Sequence, residues 1–478
     1  MIVLYIVLAV IALFFAVILA RALCFRPQKE AAFDSSPVEF DREGAVNALA
    51  ELVRCKTVSY NDPSLEDEAE FQKLIGLLPK LYPHVFEVCS FRQLPDRALL
   101  FKWPGKASDA PAVMMAHYDV VPVDENCWDK PPFGAIMEDG VMWGRGTLDT
   151  KGTFNGALWA ADSLIAQGFV PGQDVYFAFS GGEEVNGRGA RNIVDWFEAE
   201  GIQPALVVDE GGAVVEGVFP GVKKPCAVIG IGEKGMINAR FKTLSKGGHA
   251  SSPPPKTPIG TLSAAVQRIL KHPFPMHLTP PAAKMFDTLG RHSTFLYRLI
   301  FANLWCFGWV LDVLGKSSGG EMNALLRTTV AFTQMQGSSA RNVIPPEATM
   351  VANMRLNPAD SVEGALEYLR KTAKDASVEI SALESNEPSR ISVTDCPGWE
   401  KVCAAVRGTW QGSLVSPYLM IQCSDSRHWG RISDKVYRFS AMDLTKEERG
   451  TIHGHNERVR LECITRAVEF YIRLLRQC

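Results

Sequence analysis

The chain has 478 residues, of which 47% are hydrophobic and 22% charged, and its 50 basic and 53 acidic residues leave a formal net charge of −3. This length predicts two domains, and the lack of any basic block argues against a nucleic-acid-binding protein. The 11 cysteines form no Cys-x-x-Cys pair, which argues against a disulfide framework.

Residues 1–23 predict a membrane anchor or a signal segment. Residues 2–20 are almost wholly apolar and uncharged. At about 1.5 Å per residue they match the ~30 Å hydrocarbon thickness of a bilayer. The basic residues Arg21, Arg26 and Lys29 follow this run, so the positive-inside rule favours a cytoplasmic location for the rest of the chain. The alternative is a signal peptide whose cleavage would give a secreted protein.

A linker at residues 33–40 precedes the first part of a predicted catalytic domain, residues 40–234. Short apolar runs bounded by Pro and Gly predict strands, and apolar residues at helical spacing predict helices. Helices are expected at residues 42–52, 66–78, after Gly152 and at 187–200, and strands at 98–102, 112–116, 174–180 and 205–208. Strands that alternate with helices indicate an α/β domain with a mostly parallel sheet.

Residues 235–385 predict a smaller α+β lid domain inserted into the first domain. The order strand, helix, strand, strand, helix, strand is that of a ferredoxin-like fold. These elements are expected at residues 236–243, 257–270, 328–334, 348–356, 361–374 and 378–383. The sequence returns to helices and loops from Trp399, so residues 386–478 are expected to complete the catalytic domain.

An apolar insertion at about residues 272–321 fits neither pattern. Residues 294–311 are apolar nearly all round, interrupted by Arg298, whereas a surface helix should have a polar face. Three interpretations stay open. The segment packs against the catalytic domain or a second subunit, or it lines an acyl-chain pocket with Trp305 and Trp309, or it dips into a bilayer beside the N-terminal segment.

Side chains of the types that bind metal ions fall at or near the ends of the predicted strands. They are His117 and Asp119, then Asp149 in a glycine-rich turn, then the adjacent pairs Glu183-Glu184 and Asp209-Glu210. In open α/β sheets, sites form beyond the carboxyl ends of the strands. The sequence therefore predicts that these side chains meet at one edge of the sheet.

Imidazole and carboxylate groups together suit Zn²⁺. In an extended chain His117 and Asp119 point to the same side, so the carboxylate can accept the second imidazole N–H and orient the ring. Adjacent glutamates cannot easily both bind one ion. One of Glu183 and Glu184 can therefore bind metal while the other acts as general base on water.

Three motifs carry a resemblance to a known family: residues 117–122 (HYDVVP), 144–152 (GRGTLDTKG) and 180–184 (SGGEE). As a set and in this order they resemble the di-zinc metallopeptidase superfamily of aminoacylase, succinyl-diaminopimelate desuccinylase and carboxypeptidase S. The similarity runs from about Phe40 to the C-terminus. It is greatest to the branch of carboxypeptidase S and the N-fatty-acyl-amino-acid synthase/hydrolase.

The resemblance implies two Zn²⁺ per subunit, or other divalent ions, and a role for each matching residue. The implied metal ligands are His117, Asp149 as the bridge between the ions, Glu184, Asp209 and His453. Glu183 is the implied general base, and the Asp149–Thr150 peptide bond is implied to be cis. His453 is preferred over His455 because it heads a His-x-x-Asn-Glu sequence.

Further implied residues lie in the lid domain and in the second part of the catalytic domain. His249 matches a histidine that stabilises the oxyanion, often in a partner subunit, which implies a homodimer through the lid. Asn342 matches an asparagine near the substrate. Arg427 is the implied partner of the substrate carboxylate, because its planar fork suits bidentate binding. The sequence departs from the family at Gln422-Cys423, where glycines are expected, so the floor of the pocket is expected to differ.

The resemblance thus implies a zinc-dependent hydrolase of amide bonds next to a free carboxylate, in N-acyl amino acids or short peptides. A dipeptidase or desuccinylase acting on polar substrates is the first alternative, and a charged pocket would favour it. A non-catalytic, membrane-tethered binding protein is the second. It would normally have lost a ligand or the base, and all six positions are filled.

Overall fold

The structure is a computed structural model that describes residues 1–28, 32–217 and 219–478. Lys29, one of the basic residues after the apolar run, lies outside the described residues. The chain begins with helix α1 (Ile2–Cys24). Among the described residues this is the one unbroken helix long and apolar enough to cross a membrane.

The next part of the chain alternates strands and helices, as the sequence predicts. Its helices are α2 (Arg42–Val53), α3 (Glu68–Leu81), α4 (Pro83–Val88), α5 (Lys151–Ala166) and α6 (Gly189–Ala199). Its strands are β1 (Ser90–Leu94), β2 (Ala98–Trp103), β3 (Ala107–His117), β4 (Ile136–Glu138), β5 (Val141–Trp143), β6 (Gln173–Ser180), β7 (Leu206–Val215) and β8 (Cys226–Glu233).

A second group of elements follows without a break. Its strands are β9 (Gly235–Leu244), β10 (Gly248–His249), β11 (Thr329–Gln336), β12 (Val343–Ile344), β13 (Glu347–Leu356) and β14 (Glu379–Asn386). Its helices are α7 (Pro258–Lys271), α8 (Pro280–His292), α9 (Phe295–Phe301), α10 (Leu304–Ser318), α11 (Gly320–Leu326) and α12 (Val362–Ala373). Side-chain caps mark the starts of two of these helices, since Thr257 and Ser361 each accept a backbone N–H from the first turn.

The C-terminal part contains three strands besides its helices, which the prediction of helices and loops from Trp399 missed. These elements are α13 (Pro397–Thr409), β15 (Leu414–Met420), β16 (Val436–Leu444), α14 (Lys446–Arg449), β17 (Arg458–Arg460) and α15 (Leu461–Leu475). Strands β15 and β16 are buried along most of their length. Polar residues or proline interrupt both, with Ser416 and Pro417 in β15 and Arg438 and Ser440 in β16, so neither shows the short apolar run that predicts the other strands.

The main sheet has eight strands in the order β1-β2-β6-β3-β7-β16-β8-β15. Strand β3 runs parallel to β6 and β7, and β7 runs parallel to β16. The carboxyl ends of these neighbouring strands therefore open on the same edge. The α/β fold predicted from the sequence is confirmed, and residues on both sides of the inserted domain build this sheet.

The lid sheet has four antiparallel strands in the order β11-β13-β9-β14. Helices α7 and α12 pack against it, around a separate core that includes Phe241, Leu262 and Leu369. This is the arrangement of a ferredoxin-like fold, as predicted. The exact domain boundaries stay a prediction, although one sheet ends at Glu233 and the other begins at Gly235.

The insertion divides its surface between two environments. Met285, Phe286 and Leu289 of α8 are buried in a hydrophobic cluster that also contains Val228 of the main sheet. The segment from α9 into α10 instead keeps large apolar side chains in solvent, among them Trp309. The insertion thus packs on the catalytic domain through α8 and leaves a second face uncovered.

Candidate active site

The carboxyl edge of the main sheet gathers most of the predicted site residues. His117 ends β3, Glu183 and Glu184 follow β6, and Glu210 lies in β7. Two loops complete the group. Asp149 lies just before α5, and His453 lies between α14 and β17. Together these six residues are called the acidic cluster below.

Asp149 stands between the two histidines of the acidic cluster. Its Oδ1 lies 3.0 Å from His117 Nε2, and its Oδ2 lies 2.9 Å from His453 Nε2. Each carboxylate oxygen thus faces one imidazole nitrogen, which is the geometry a bridging carboxylate needs. The Asp149–Thr150 peptide bond is cis, as the resemblance implies.

Two further carboxylates face the same imidazole nitrogens. Glu184 Oε2 lies 3.1 Å from His453 Nε2, and Glu210 Oε1 lies 3.3 Å from His117 Nε2. His453 therefore stands in the acidic cluster, and its backbone adopts φ +58°. The charge of His455, two residues later, acts instead on Asp124, outside the cluster.

The structure turns Glu210 toward the acidic cluster, where the sequence-based assignment had Asp209. Asp209 Oδ2 accepts a hydrogen bond of 2.9 Å from the backbone N–H of Ser426. Successive side chains of a strand point to opposite faces, so only one of the two adjacent acids can face His117. The sequence offers both acids side by side and does not show which faces inward.

Asp119 fixes the loop that carries the two glutamates. Its carboxylate oxygens accept the backbone N–H groups of Glu183 and Glu184, at 3.1 and 3.2 Å. His117 Nδ1 lies 3.0 Å from the backbone oxygen of Asp119 and 3.4 Å from its carboxylate. The imidazole is thus oriented mainly by the Asp119 carbonyl, and not by the carboxylate as the spacing of the two residues predicts.

Burial disfavours the charged forms of these carboxyl groups. It raises the pKa of Glu210 to about 8, with the charge of Asp149 adding to the increase. Burial likewise raises the pKa of Glu183 well above that of a free glutamate, and the charge of Asp425 adds to this, while His117 opposes it. In contrast, hydrogen bonds to Asp149 and Glu184 raise the pKa of His453 to about 10.

The acidic cluster fits a pair of divalent cations. Several half-buried carboxylates crowd one another, and a cation is the partner that lowers the free-energy cost of keeping them charged. Glu184 Oε1 is buried and has no hydrogen-bond partner among the described residues. Its free oxygen and the mixture of imidazole and carboxylate groups match the ligands of zinc.

The loops that carry Asp149 and His453 are joined by a buried ion pair that sequence reasoning missed. Arg145 Nη1 lies 2.5 Å from Glu457 Oε2. Glu457 Oε1 also accepts the backbone N–H groups of Gly146 and Leu148, at 3.1 and 2.8 Å. The His-x-x-Asn-Glu sequence that singled out His453 contained Glu457, but nothing in it indicated the partner more than three hundred residues away.

A cavity of about 470 Å³ opens at the acidic cluster. Asp149, Glu183, Glu210 and His453 form one part of its wall. The other lining side chains are mostly apolar, including Leu148, Val215, Val228, Tyr418, Met420, Ile421, Met442, Leu444 and Ile452. The departure from the family at Gln422-Cys423 also lies in this wall. Trp305 and Trp309 are absent from the lining, so they do not form this pocket.

Of the remaining predicted residues, Arg427 lies near the acidic cluster, whereas His249 and Asn342 belong to the lid. Arg427 donates to the Ser424 carbonyl and to Asn186, at 2.9 and 3.2 Å, and its charge acts on Glu183. His249 is exposed on β10, which pairs with β12. The Asn342 carbonyl accepts the N–H of Ala250, so Asn342 and His249 lie near each other. Neither residue lines the cavity at the cluster.

Comparisons with known proteins agree with this architecture. The profile described as peptidase family M20/M25/M40 matches residues 113–477. The N-fatty-acyl-amino acid synthase/hydrolase PM20D1 of Xenopus tropicalis is 36% identical over 443 residues, which are 91% of this chain and 86% of that protein. Probable carboxypeptidase S-like 2 of Dictyostelium discoideum is 32% identical over 438 residues, 90% and 84% of the two chains.

Solved structures share the fold at low sequence identity. The M20 family metallo-carboxypeptidase Sso-CP2 from Sulfolobus solfataricus aligns with a TM-score of 0.68 and 17% identity, over 90% of this chain and 98% of that one. The Bacillus subtilis YXEP protein, described as a dinuclear metal binding peptidase, aligns with a TM-score of 0.55 and 14% identity, over 91% and 97%.

Proposed function

Because this chain belongs to peptidase family M20/M25/M40, whose members are metal-dependent hydrolases, we propose that it hydrolyses N-acyl amino acids with long acyl chains. The substrate would carry a free carboxylate next to the scissile amide. Support comes from the Xenopus relative, which is named for N-fatty-acyl amino acids. The carboxypeptidase S-like relative supports a bond beside a carboxylate.

The observation that carries the acyl-chain proposal is the apolar cavity at the acidic cluster. An amide carbonyl beside Glu183 could extend its acyl chain along Met420, Met442 and Leu444. Burial of each CH₂ group is worth about 0.8 kcal/mol. Glu321 and Arg449 are the charged residues of the lining outside the acidic cluster, so the cavity offers little to a polar dipeptide.

Two divalent ions, with zinc the best match to the donor set, would be held by the acidic cluster. His117 and Glu210 would hold one ion, His453 and Glu184 the other, and Asp149 both. When bound, the ions lower the pKa of water and polarise the scissile carbonyl. Asp119 would act through its neighbours, because it orients His117 and the backbone of both glutamates.

Glu183 is proposed as the general base. It is half-buried beside His117 and Glu210, and a raised pKa suits a group that must accept and return a proton near neutral pH. Its carboxylate would take a proton from the attacking water as the oxygen adds to the amide carbon. The same proton would pass to the leaving nitrogen as the C–N bond breaks.

Three further residues are proposed to act on the substrate. Arg427 is held by Ser424 and Asn186 near Glu183, so its guanidinium could bind the substrate carboxylate. His249 lies on the lid strand β10 and Asn342 lies directly before its partner strand β12, both outside the cavity lining. They would reach the carbonyl oxygen only when a lid meets the site, which is compatible with a homodimer through the lid domain.

A membrane location is proposed for α1. The helix has 23 residues, and nearly all of its side chains are exposed. At about 1.5 Å per residue it is long enough for the ~30 Å hydrocarbon core. An uncleaved anchor would hold the hydrolase at the surface where lipid-like substrates concentrate.

A series of N-acyl phenylalanines tests the substrate proposal. We expect kcat/KM of the zinc-loaded enzyme to rise up to about fourfold per added CH₂ over several carbons and then level off. Met442→Ser should flatten this slope, whereas Met335→Ser, at an exposed lid position, should leave it unchanged. A wild-type preference for acetyl substrates or polar dipeptides would refute the proposal and favour the dipeptidase alternative.

A further inference from the structure

The apolar insertion is docked on the N-terminal helix. Ile18 and Ala22 are the buried residues of α1, with exposed fractions of 3% and 0%, while the rest of the helix is exposed. Arg21 Nε donates to the carbonyl of Ala302, at 3.1 Å, and the rings of Phe14 and Trp305 meet edge to face at 5.8 Å. The two apolar segments therefore form one continuous structure.

The backbone and Asn303 at the corner between α9 and α10 find hydrogen-bond partners in α1 and α9. Helices α9 and α10 are bent by 108°. Asn303, at this corner, donates to the carbonyls of Ile18 and Leu299, at 3.1 and 2.9 Å. Its own Oδ1 lies 3.3 Å from Trp305 Nε1. Irregular backbone is tolerated at membrane depth only where its polar groups find such partners.

The outer face of this corner is apolar and aromatic. Its exposed side chains are Phe295, Leu296, Tyr297, Trp305, Trp309 and Val313. Arg298 is the only charged residue between Phe295 and Leu311, and it lies over the Phe295 ring. Trp and Tyr are typical of the interfacial region of membranes. We call this set the α9–α10 face.

The contact with α1 also sets how far Trp305 lies below the level of Arg21, the first charged residue after the apolar run. Phe14 lies seven residues before Arg21 in α1, which is about 10 Å along the helix axis. Interfacial segments typically bury their apolar face ~5–10 Å deep. Helix α10, with 15 residues, is about 22 Å long and falls short of the ~30 Å hydrocarbon core. The geometry therefore favours a shallow insertion over a second span.

We propose that the α9–α10 face inserts just below the lipid headgroups of the same bilayer that receives α1. The inference rests on the anchor proposed for α1 and is independent of the hydrolytic reaction. A lipid surface is preferred to a second copy of the chain because the α9–α10 face is continuous with the exposed surface of α1. A single bilayer covers both, and it holds the inserted segment of the lid domain at the membrane.

Quenching of tryptophan fluorescence by brominated lipid tests this placement. The full chain is reconstituted into phosphatidylcholine vesicles with bromine in the upper part of the acyl chains, and co-flotation confirms incorporation. Of the ten tryptophans, only Trp305 and Trp309 lie in α1, α9 or α10. The comparison is between wild type, the double variant Trp305→Phe/Trp309→Phe, and the control Trp196→Phe in α6.

We expect wild type and the control to show equal bromine-dependent quenching and the double variant to lose most of it. Equal quenching in all three proteins, or none in co-floating wild type, would overturn the inference. Shielding of the α9–α10 face by a second copy would give the latter result together with a crosslinked dimer. If wild type does not co-float, both the anchor and this inference fail. Hydrolysis, assayed separately in detergent, reports on the proposed function alone.

Discussion

The carboxylate of Glu457 and the guanidinium of Arg145 form an ion pair of 2.5 Å in which both side chains are almost fully buried. Through this pair, the loop that carries His453 is held to the loop that carries Asp149. Glu457 also accepts backbone N–H groups of the second loop. The relative positions of Asp149 and His453 therefore depend on a contact that involves neither of them.

Glu457→Gln should destabilise the protein and weaken metal binding. The substitution leaves the buried Arg145 charge without its partner, which typically costs about 3–5 kcal/mol. Thermal unfolding and metal analysis after dialysis measure the two effects. The control is Glu447→Gln, whose ion pair with Arg458 is exposed and should contribute about 1 kcal/mol or less. Equal losses in both variants would contradict this account.

Glu183→Gln should lower kcat by about 10²–10⁴-fold and leave the metal content intact. Glutamine keeps the shape of the side chain but cannot accept the proton of water. Turnover and metal content are measured on the same preparation. Activity within a few-fold of wild type, with full metal occupancy, would remove Glu183 from the role of base.

His453→Ala should lose metal, whereas His455→Ala should retain it. His453 Nε2 lies 2.9 Å from Asp149 and 3.1 Å from Glu184, while the charge of His455 acts on Asp124, outside the cluster. Elemental analysis of both variants decides between the two histidines. The reverse ranking would move the ligand to His455.

Glu210→Gln should reduce the metal content by about one ion per chain, and Asp209→Asn should reduce it far less. Only Glu210 faces His117, at 3.3 Å. Asparagine at position 209 still offers an oxygen to the Ser426 N–H. Metal titration of the two variants separates the adjacent acids, and a larger loss with Asp209→Asn would restore the assignment made from the sequence.

His428 should make the protein less stable in acid. Burial lowers the pKa of His428 to about 4, and the charge of Arg427 adds to this effect. An unfolded chain, with a histidine pKa of about 6.5, therefore binds the proton first as the pH falls. Stability should decrease between about pH 6.5 and pH 4, by up to about 3 kcal/mol from this group.

His428→Gln should flatten that part of the stability curve. Unfolding by denaturant across this pH range measures the slope for wild type, His428→Gln and the exposed-site control His455→Gln. The control should keep the wild-type slope. An unchanged slope in His428→Gln would show that another group causes the acid sensitivity.

Much of the fold could be predicted because its signals are local. The lid strand expected at residues 348–356 is found at Glu347–Leu356, and the helix expected at 361–374 is found at Val362–Ala373. The alternating burial of β13 and the cap of α12 at Ser361 each depend on only a few adjacent residues. The strands β15 and β16 were missed, because Pro417 lies inside the first and Arg438 inside the second, so neither contains a short unbroken apolar run.

The residue types of the site were likewise evident in the sequence, because imidazole and carboxylate groups follow strands whose carboxyl ends share one edge of the sheet. Tertiary structure alone decided which atoms meet. It turned Glu210 rather than Asp209 toward His117, since neighbours on a strand face opposite ways. It also paired Glu457 with Arg145 and laid the α9–α10 face beside α1. These contacts join residues hundreds of positions apart, and only the folded chain brings them within reach.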